Sequence, residues 1–115
     1  MKFENLRVWQ DAVELSGLIN DLTKTFPRDE VFVLTSQIKR ASDSVSLNIA
    51  EGSTGQSNAE FKRFLGIALR SAIEVVGCLY LAKGRPYITD EQFNSLYKTI
   101  NQLIISIQAL RNSIK

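Results

Sequence analysis

Apolar residues recur at intervals of three and four along four stretches of this chain, which is the spacing of one face of an α-helix. Pro27 separates the first stretch, about residues 5–25, from the second, about 30–52. A glycine-bearing turn at 52–55 separates the second from the third, and Pro86 divides the third, about 57–84, from the fourth, about 89–114. No stretch of useful length alternates as a β-strand would.

Four amphipathic helices of about 20–28 residues with short connections predict an all-α fold, an antiparallel up-down-up-down four-helix bundle. With 115 residues, the chain is expected to form one domain spanning 1–115. The third helix carries a second apolar stripe beside its main one, with Phe64, Ile67 and Leu81 among its members. A helix that is apolar over more than one face indicates either a central position or an oligomer interface.

Local signals mark the ends of the helices. Ser57 and Glu60, and again Thr89 and Gln92, have the spacing of a capping box at a helix start. Small residues, Gly52 among them, should keep the turn between the second and third helices compact. Trp9 and Phe3 are expected to cover one end of the core, with a subunit contact as the alternative.

Polar residues on or beside the apolar stripes predict a structural network. Its members are Asn48, Glu51, Ser71 and Glu74. Asn48 is expected to hold the adjacent turn, because a buried amide needs hydrogen-bond partners. Glu74 is expected to pair with Arg70 four residues earlier and to tie the third helix to the second through Arg40 or Asn48.

The composition excludes most catalytic chemistry. There is no histidine, which removes Ser-His-Asp and Cys-His arrangements and most catalytic zinc sites. No glycine-rich segment matches a phosphate loop. The remaining candidate acids and bases are Glu51, Glu74, Tyr80, Tyr87 and Tyr97, which form no recognisable constellation. We therefore expect no enzyme activity, no catalytic residue, no metal and no cofactor.

Cysteine usage and the start of the chain bear on location. Cys78 is the only cysteine, so no intramolecular disulfide can form. The first residues carry charges where a secretory signal needs an apolar run, and no long uninterrupted apolar run suggests a membrane span. A cytoplasmic protein without membrane contact is the expectation.

Positive charge is concentrated in the third helical segment. The chain has a net charge of +2, and residues 58–88 carry five cations against two anions, a net +3, so the remainder carries −1. Cations of this kind contact phosphates in nucleic-acid-binding proteins. The candidate phosphate contacts are Lys39, Arg40, Lys62, Arg63, Arg70, Lys83 and Arg85.

A longer pattern resembles a known family. The string 48–52, Asn-Ile-Ala-Glu-Gly, is followed by Ser57, Glu60-Phe61, Phe64-Leu65, Ala68, Ser71 and Glu74. Together with Leu6-x-Val8-Trp9-Gln10-x-Ala12 and Phe26-Pro27-x-x-Glu30, this is similar to the bacterial 23S rRNA intervening sequence proteins. The resemblance covers nearly the whole chain.

The resemblance implies a four-helix bundle and a ring-shaped homopentamer. One relative, the accessory variability determinant of diversity-generating retroelements, binds nucleic acid and a reverse transcriptase through a basic surface. This chain differs where many relatives have an arginine at the position of Gly55 and a glycine at the position of Arg70. The first difference removes a cation from the turn, and the second adds one to the third helix.

Two functions from different classes follow. The leading hypothesis is a non-enzymatic, oligomeric accessory protein that binds RNA or DNA, since fivefold repetition of a weak basic patch raises its effect. The alternative is a protein-interaction scaffold that receives a protein partner without nucleic acid.

Overall fold

The chain folds into four α-helices and no strand, in a computed structural model that describes residues 1–115. The helices are α1 (Arg7–Thr23), α2 (Leu34–Ser53), α3 (Asn58–Gly84) and α4 (Asp90–Ser113). Short 3-10 helices at Lys2–Asn5 and Arg28–Glu30 precede α1 and α2. The all-α prediction is confirmed.

The helices stand at the corners of a square. Helices that are consecutive in the chain contact one another, and α1 also contacts α4, whereas α1 does not reach α3 and α2 does not reach α4. The particle measures 43 × 24 × 19 Å, so the helices run along its long axis. This is the expected up-down-up-down arrangement, and it places α1 and α3 on opposite corners.

A single cluster of 25 buried residues fills the space between the helices. It contains the predicted main stripes, such as Leu15 and Ile19 of α1 and Ile100 and Ile107 of α4, all 0% exposed. The second stripe predicted on α3 is mostly not buried, and Leu81 is 47% exposed. Because α3 has neighbours on only two sides, its outward face remains uncovered.

The start of α2 differs from the prediction. The helix begins at Leu34 rather than near residue 30. Residues 28–30 form a 3-10 helix, and the Glu30 carboxylate accepts a hydrogen bond from the backbone N–H of Leu34 at 3.3 Å. The side chain of Glu30 thus satisfies one of the free N–H groups at the start of α2, so the helix does not need to extend back to it.

The connection between α2 and α3 depends on one close contact. A Cβ atom added to Gly52 would lie 2.5 Å from the Cβ of Phe64, which is too near for any side chain. The glycine has no positive φ, so it is required by the approach of α3 and not by backbone conformation. At Gly55 an added Cβ would instead meet the flexible end of Glu60 at 2.6 Å.

The predicted capping box is complete at Thr89 and only half formed at Ser57, where Glu60 makes no return hydrogen bond. Ser57 Oγ accepts from the Glu60 N–H at 3.1 Å and begins α3. Thr89 and Gln92 exchange both hydrogen bonds of a capping box, at 3.0 and 2.9 Å, and begin α4. At the end of the bundle opposite to the start of α4, Phe3 and Trp9 form an edge-to-face pair 5.0 Å apart, and Trp9 packs against the core as expected.

By length and composition alone, α3 is the one helix that could cross a membrane. Core helices of globular bundles satisfy the same two criteria, so this observation is weak evidence on its own. Here the helix packs against α2 and α4 along its length.

Candidate nucleic-acid interface

Five cations meet in an open groove of about 440 Å³ between the first half of α3 and the last turns of α4. It is lined by Ala59, Lys62, Arg63, Gly66 and Arg70 on one side and by Arg111 and Lys115 on the other. We call this the basic groove. No carboxylate is among its lining residues, so the positive charges are not neutralised there and reinforce one another toward an anion.

Arg111 is fixed across the floor of the basic groove. Its Nε donates a hydrogen bond to the backbone carbonyl of Lys62 at 3.1 Å. The guanidinium lies over Gly66, where an added Cβ would be 3.6 Å from its nearest nitrogen. This is an ordinary contact distance, so the guanidinium packs closely on α3 and would tolerate a methyl group at this position. The remaining N–H groups of Arg111 are free for an acceptor.

Arg63 is held by an aromatic ring. Its guanidinium carbon lies 4.6 Å from the centre of the Phe64 ring, the geometry of a cation–π contact. This contact occupies a face of Phe64, which therefore does not offer that face to a nucleic-acid base.

The seven predicted phosphate contacts do not form one surface. Lys62, Arg63 and Arg70 lie together in the basic groove. Lys39 and Arg40 lie on α2, where Arg40 lines a separate groove of about 690 Å³ between α2 and α3, together with Phe32 and Glu74. Lys39 is exposed on the same helix.

The last two predicted cations lie at the far end of α3 and are engaged by carboxylates. Lys83 is 3.9 Å from Asp90 and its ammonium lies over the ring of Phe93. Arg85 donates a hydrogen bond to Glu30 at 3.0 Å. Because carboxylates partly neutralise Lys83 and Arg85 and occupy some of their N–H groups, these side chains are weaker phosphate contacts.

Glu30 also accepts a hydrogen bond from the hydroxyl of Tyr87 at 2.6 Å. This hydrogen bond lowers the pKa of Glu30 below its ordinary value, with the Leu34 N–H and Arg85 acting in the same direction and burial opposing them. The same hydrogen bond raises the pKa of Tyr87. The cluster of Glu30, Arg85 and Tyr87 joins the start of α2 to the connection between α3 and α4.

The polar network differs from the prediction. Its centre is Ser44, whose hydroxyl accepts from Asn48 at 2.9 Å and from Ser71 at 2.9 Å. Asn48 also donates to the Ser44 carbonyl, so it faces back along α2 and does not hold the turn. The hydrogen bond between Ser44 and Ser71 joins α2 to α3. Small side chains at this point allow the two helices to pack closely.

The two acidic members lie outside this network. Glu51 and Glu74 are exposed, and neither accepts a side-chain hydrogen bond or forms an ion pair. The expected pairs of Glu74 with Arg70 and Arg40 are not made. Position on a helix face brings such charges near one another, but exposed pairs gain little over their hydrated forms.

No group of three or more Cys, Asp or Glu side chains is placed to hold a metal ion. Burial raises the pKa of the Cys78 thiol, which favours its neutral, unreactive form.

Arg111 and Lys115 were not predicted from the sequence as members of this site. Both follow from the antiparallel topology, because the end of α4 returns to the start of α3. Basic residues near a helix C-terminus are also a common complement to the helix dipole, which made them unremarkable in the sequence.

Two comparisons with known proteins bear on this arrangement. A family model described as 23S rRNA-intervening sequence protein matches residues 4–109. A crystal structure of a protein of unknown function from the S23 ribosomal protein family of Bacteroides thetaiotaomicron is similar over 98% of this chain and 100% of that one, with 30% identity and a TM-score of 0.87. A comparison with curated proteins gave no match.

Proposed function

This chain belongs to the 23S rRNA-intervening sequence protein family, and from that premise we propose that it is a non-enzymatic, cytoplasmic accessory protein that binds RNA or DNA. In this proposal the basic groove contacts the phosphate backbone, and the protein acts as a homo-oligomer, a pentameric ring. The observation that supports it is the convergence of five cations in a groove whose lining holds no carboxylate.

The lining of the basic groove favours the backbone over the bases. It contains cations, an alanine and a glycine, and it lacks the amide and aromatic side chains that read base edges or stack on bases. Contacts of this kind hold a strand without selecting its sequence. One groove offers few contacts, so repetition of the groove in an oligomer supplies the rest of the affinity.

We expect the double variant Arg63→Gln/Arg70→Gln to bind a fluorescent 30-nucleotide RNA roughly tenfold more weakly in about 50 mM salt. A plot of log affinity against log salt should become shallower by roughly one to two, since two phosphate contacts are lost. Fluorescence anisotropy across a salt series measures both quantities. Both arginines are exposed, so folding should be unaffected.

The matched control is Lys39→Gln/Lys98→Gln, which removes two exposed cations outside the basic groove. It should retain most of the affinity. Equal losses in both double variants would show that net charge and not the groove drives binding. Absence of binding by the wild-type protein at low salt would refute the proposed function.

A second candidate, the protein-interaction scaffold, is favoured by one observation. Phe32 is 94% exposed at the rim of the groove between α2 and α3, where nothing in the chain covers it. A large exposed apolar side chain beside a groove is typical of a site for a protein partner. This function requires a partner that stays bound after nuclease treatment.

A further inference from the structure

α1 and α3 occupy opposite corners of the bundle, and their backbones do not come close to each other. Their outward faces therefore lie on opposite sides of the molecule. Each carries a glycine within the helix, Gly17 in α1 and Gly77 in α3. A Cβ added to either would meet no atom within 4 Å, and neither has a positive φ. Nothing inside the folded chain therefore requires a glycine at these positions.

A glycine inside a helix costs about 1 kcal/mol relative to alanine. At Gly52 the close packing of α3 requires a glycine and offsets this cost, whereas at Gly17 and Gly77 no contact within one copy requires a glycine. What the two glycines provide is an outward helix surface without a side chain, which allows another backbone to come close.

Exposed carboxylates lie within about one turn of both glycines, Glu14 and Asp21 beside Gly17 and Glu74 beside Gly77. Exposed apolar side chains also lie beside both glycines. Around Gly77 they are Ile73, Tyr80 and Leu81, exposed by 57%, 55% and 47%. Around Gly17 they are Val13 and Leu18, exposed by 44% and 40%. We call these two surfaces the α3 face and the α1 face.

The two helices carry opposite charge. α1 has one cation and three anions, a net −2, and α3 has four cations and two anions, a net +2. α2 and α4 are each balanced, with two cations and two anions. The charge of this molecule is therefore separated along the diagonal that joins its two glycine-bearing helices.

We propose that the α1 face of one copy docks on the α3 face of the next copy. This inference rests on the homo-oligomer proposed above and assigns its contact surfaces. The opposite net charges of the two helices favour α1 against α3, with Glu14 and Asp21 beside Gly17 on one side and Arg70, two turns before Gly77, on the other. Since the two faces lie on opposite sides, the contact is head-to-tail, and its repetition gives a ring where the rotation closes.

The decisive variants are Gly17→Gln and Gly77→Gln. Glutamine is a good helix former, so each subunit should fold with unchanged helicity by circular dichroism. Its side chain occupies the docking surface, so each variant alone should elute as a single chain in chromatography with light scattering. For each variant, we expect the protein concentration at which half of the oligomer has dissociated to rise at least tenfold. The control is Ser106→Gln, an exposed position on α4.

Mixing the two variants tests the head-to-tail arrangement. The Gly17→Gln copy keeps an intact α3 face and the Gly77→Gln copy keeps an intact α1 face. An equimolar mixture should therefore form a complex of one copy of each and no larger species. A mixture that stays monomeric, or a Gly17→Gln variant that assembles like wild type, would overturn the pairing of α1 with α3.

The charge separation gives an independent test. Glu14→Lys/Asp21→Lys on α1 should weaken assembly at least tenfold at low salt, whereas the same reversal at Asp43 and Glu51 of α2 should not. Equal effects of the two pairs would contradict the assignment. A wild-type protein that is a monomer at every concentration would refute the proposed oligomer itself, whereas oligomers unaffected by all these variants would refute only the two faces.

Discussion

The carboxylate of Glu30 joins two segments that lie far apart in sequence, the start of α2 and the connection between α3 and α4. It accepts from Leu34 at the start of α2, from Arg85 after α3 and from Tyr87 before α4. Because the fold lowers its pKa, the folded state favours the charged carboxylate. The resulting stability is fully present above the ordinary value of 4.5 and is lost as the pH falls through the lower folded value.

Glu30→Gln should lower the melting temperature at pH 7 by a few degrees, since an amide cannot accept all these hydrogen bonds. The difference from wild type should shrink as the pH falls from about 5 to about 3, where the wild-type carboxyl takes up its proton. Thermal denaturation at a series of pH values measures this. Glu51→Gln, at an exposed carboxylate without a partner, is the control and should change little. A difference that is constant with pH would contradict the role given to the charge.

Single residues were the hardest to predict from the sequence. Arg85 was a candidate phosphate contact, but it bonds Glu30, which lies 55 residues away. Asn48 was expected to hold the turn, and it instead bonds Ser44 one turn earlier. In both cases periodicity indicates the face on which a residue lies and not which of several nearby partners it selects.

At the scale of elements, the junction of α2 and α3 is set by Gly52. An alanine there would place its Cβ against the Cβ of Phe64, an atom that cannot move without moving α3. At Gly55 the end of the Glu60 side chain would have to shift, and the backbone carbonyl oxygen of Gly52 would lie tightly at 3.2 Å. The two glycines of one turn are therefore unequal.

Gly52→Ala should destabilise the protein by about 1–3 kcal/mol, as the overpacked helices separate. Gly66→Ala is the matched control, because its Cβ would be at ordinary contact distance from Arg111. That variant should gain up to about 1 kcal/mol from helix propensity. Urea denaturation measures both, and a Gly52→Ala protein as stable as wild type would contradict the assigned contact.

The helices themselves were largely predictable, because caps and apolar spacing are local. Thr89 and Gln92 begin α4 as expected, and the main stripe of α1 is buried. The start of α2 could not be predicted in the same way, since it depends on Glu30 as a capping side chain. Two of the five cations of the basic groove were also missed, because Arg111 meets Lys62 only once α4 is placed in register beside α3.

For the whole molecule, assembly and nucleic-acid binding should be linked through repetition of the basic groove. In a ring, one long strand can reach several grooves, whereas a short oligonucleotide reaches one. A variant that dissociates the ring without altering the groove separates these two situations. Gly77→Gln is suitable, because Gly77 is not among the residues that line the basic groove.

Gly77→Gln should bind a 30-nucleotide RNA at least roughly tenfold more weakly than wild type, since linked sites gain that much or more from avidity. It should bind an oligonucleotide of about six nucleotides as well as wild type does. Anisotropy titrations with the two probes make the comparison. Equal losses for both lengths would show that the substitution affects the groove, and no loss for either would show that one groove suffices.

The outward face of α3 is divided along its length. Its first turns carry Lys62, Arg63 and Arg70, and its later turns carry Ile73, Gly77 and Tyr80. During divergence, an exchange of one apolar residue in the later turns would alter assembly and leave the phosphate contacts unchanged. A change of one cation in the first turns would alter the phosphate contacts and also the positive charge that favours α1 of the next copy, so the two properties of this helix can diverge independently in one direction only.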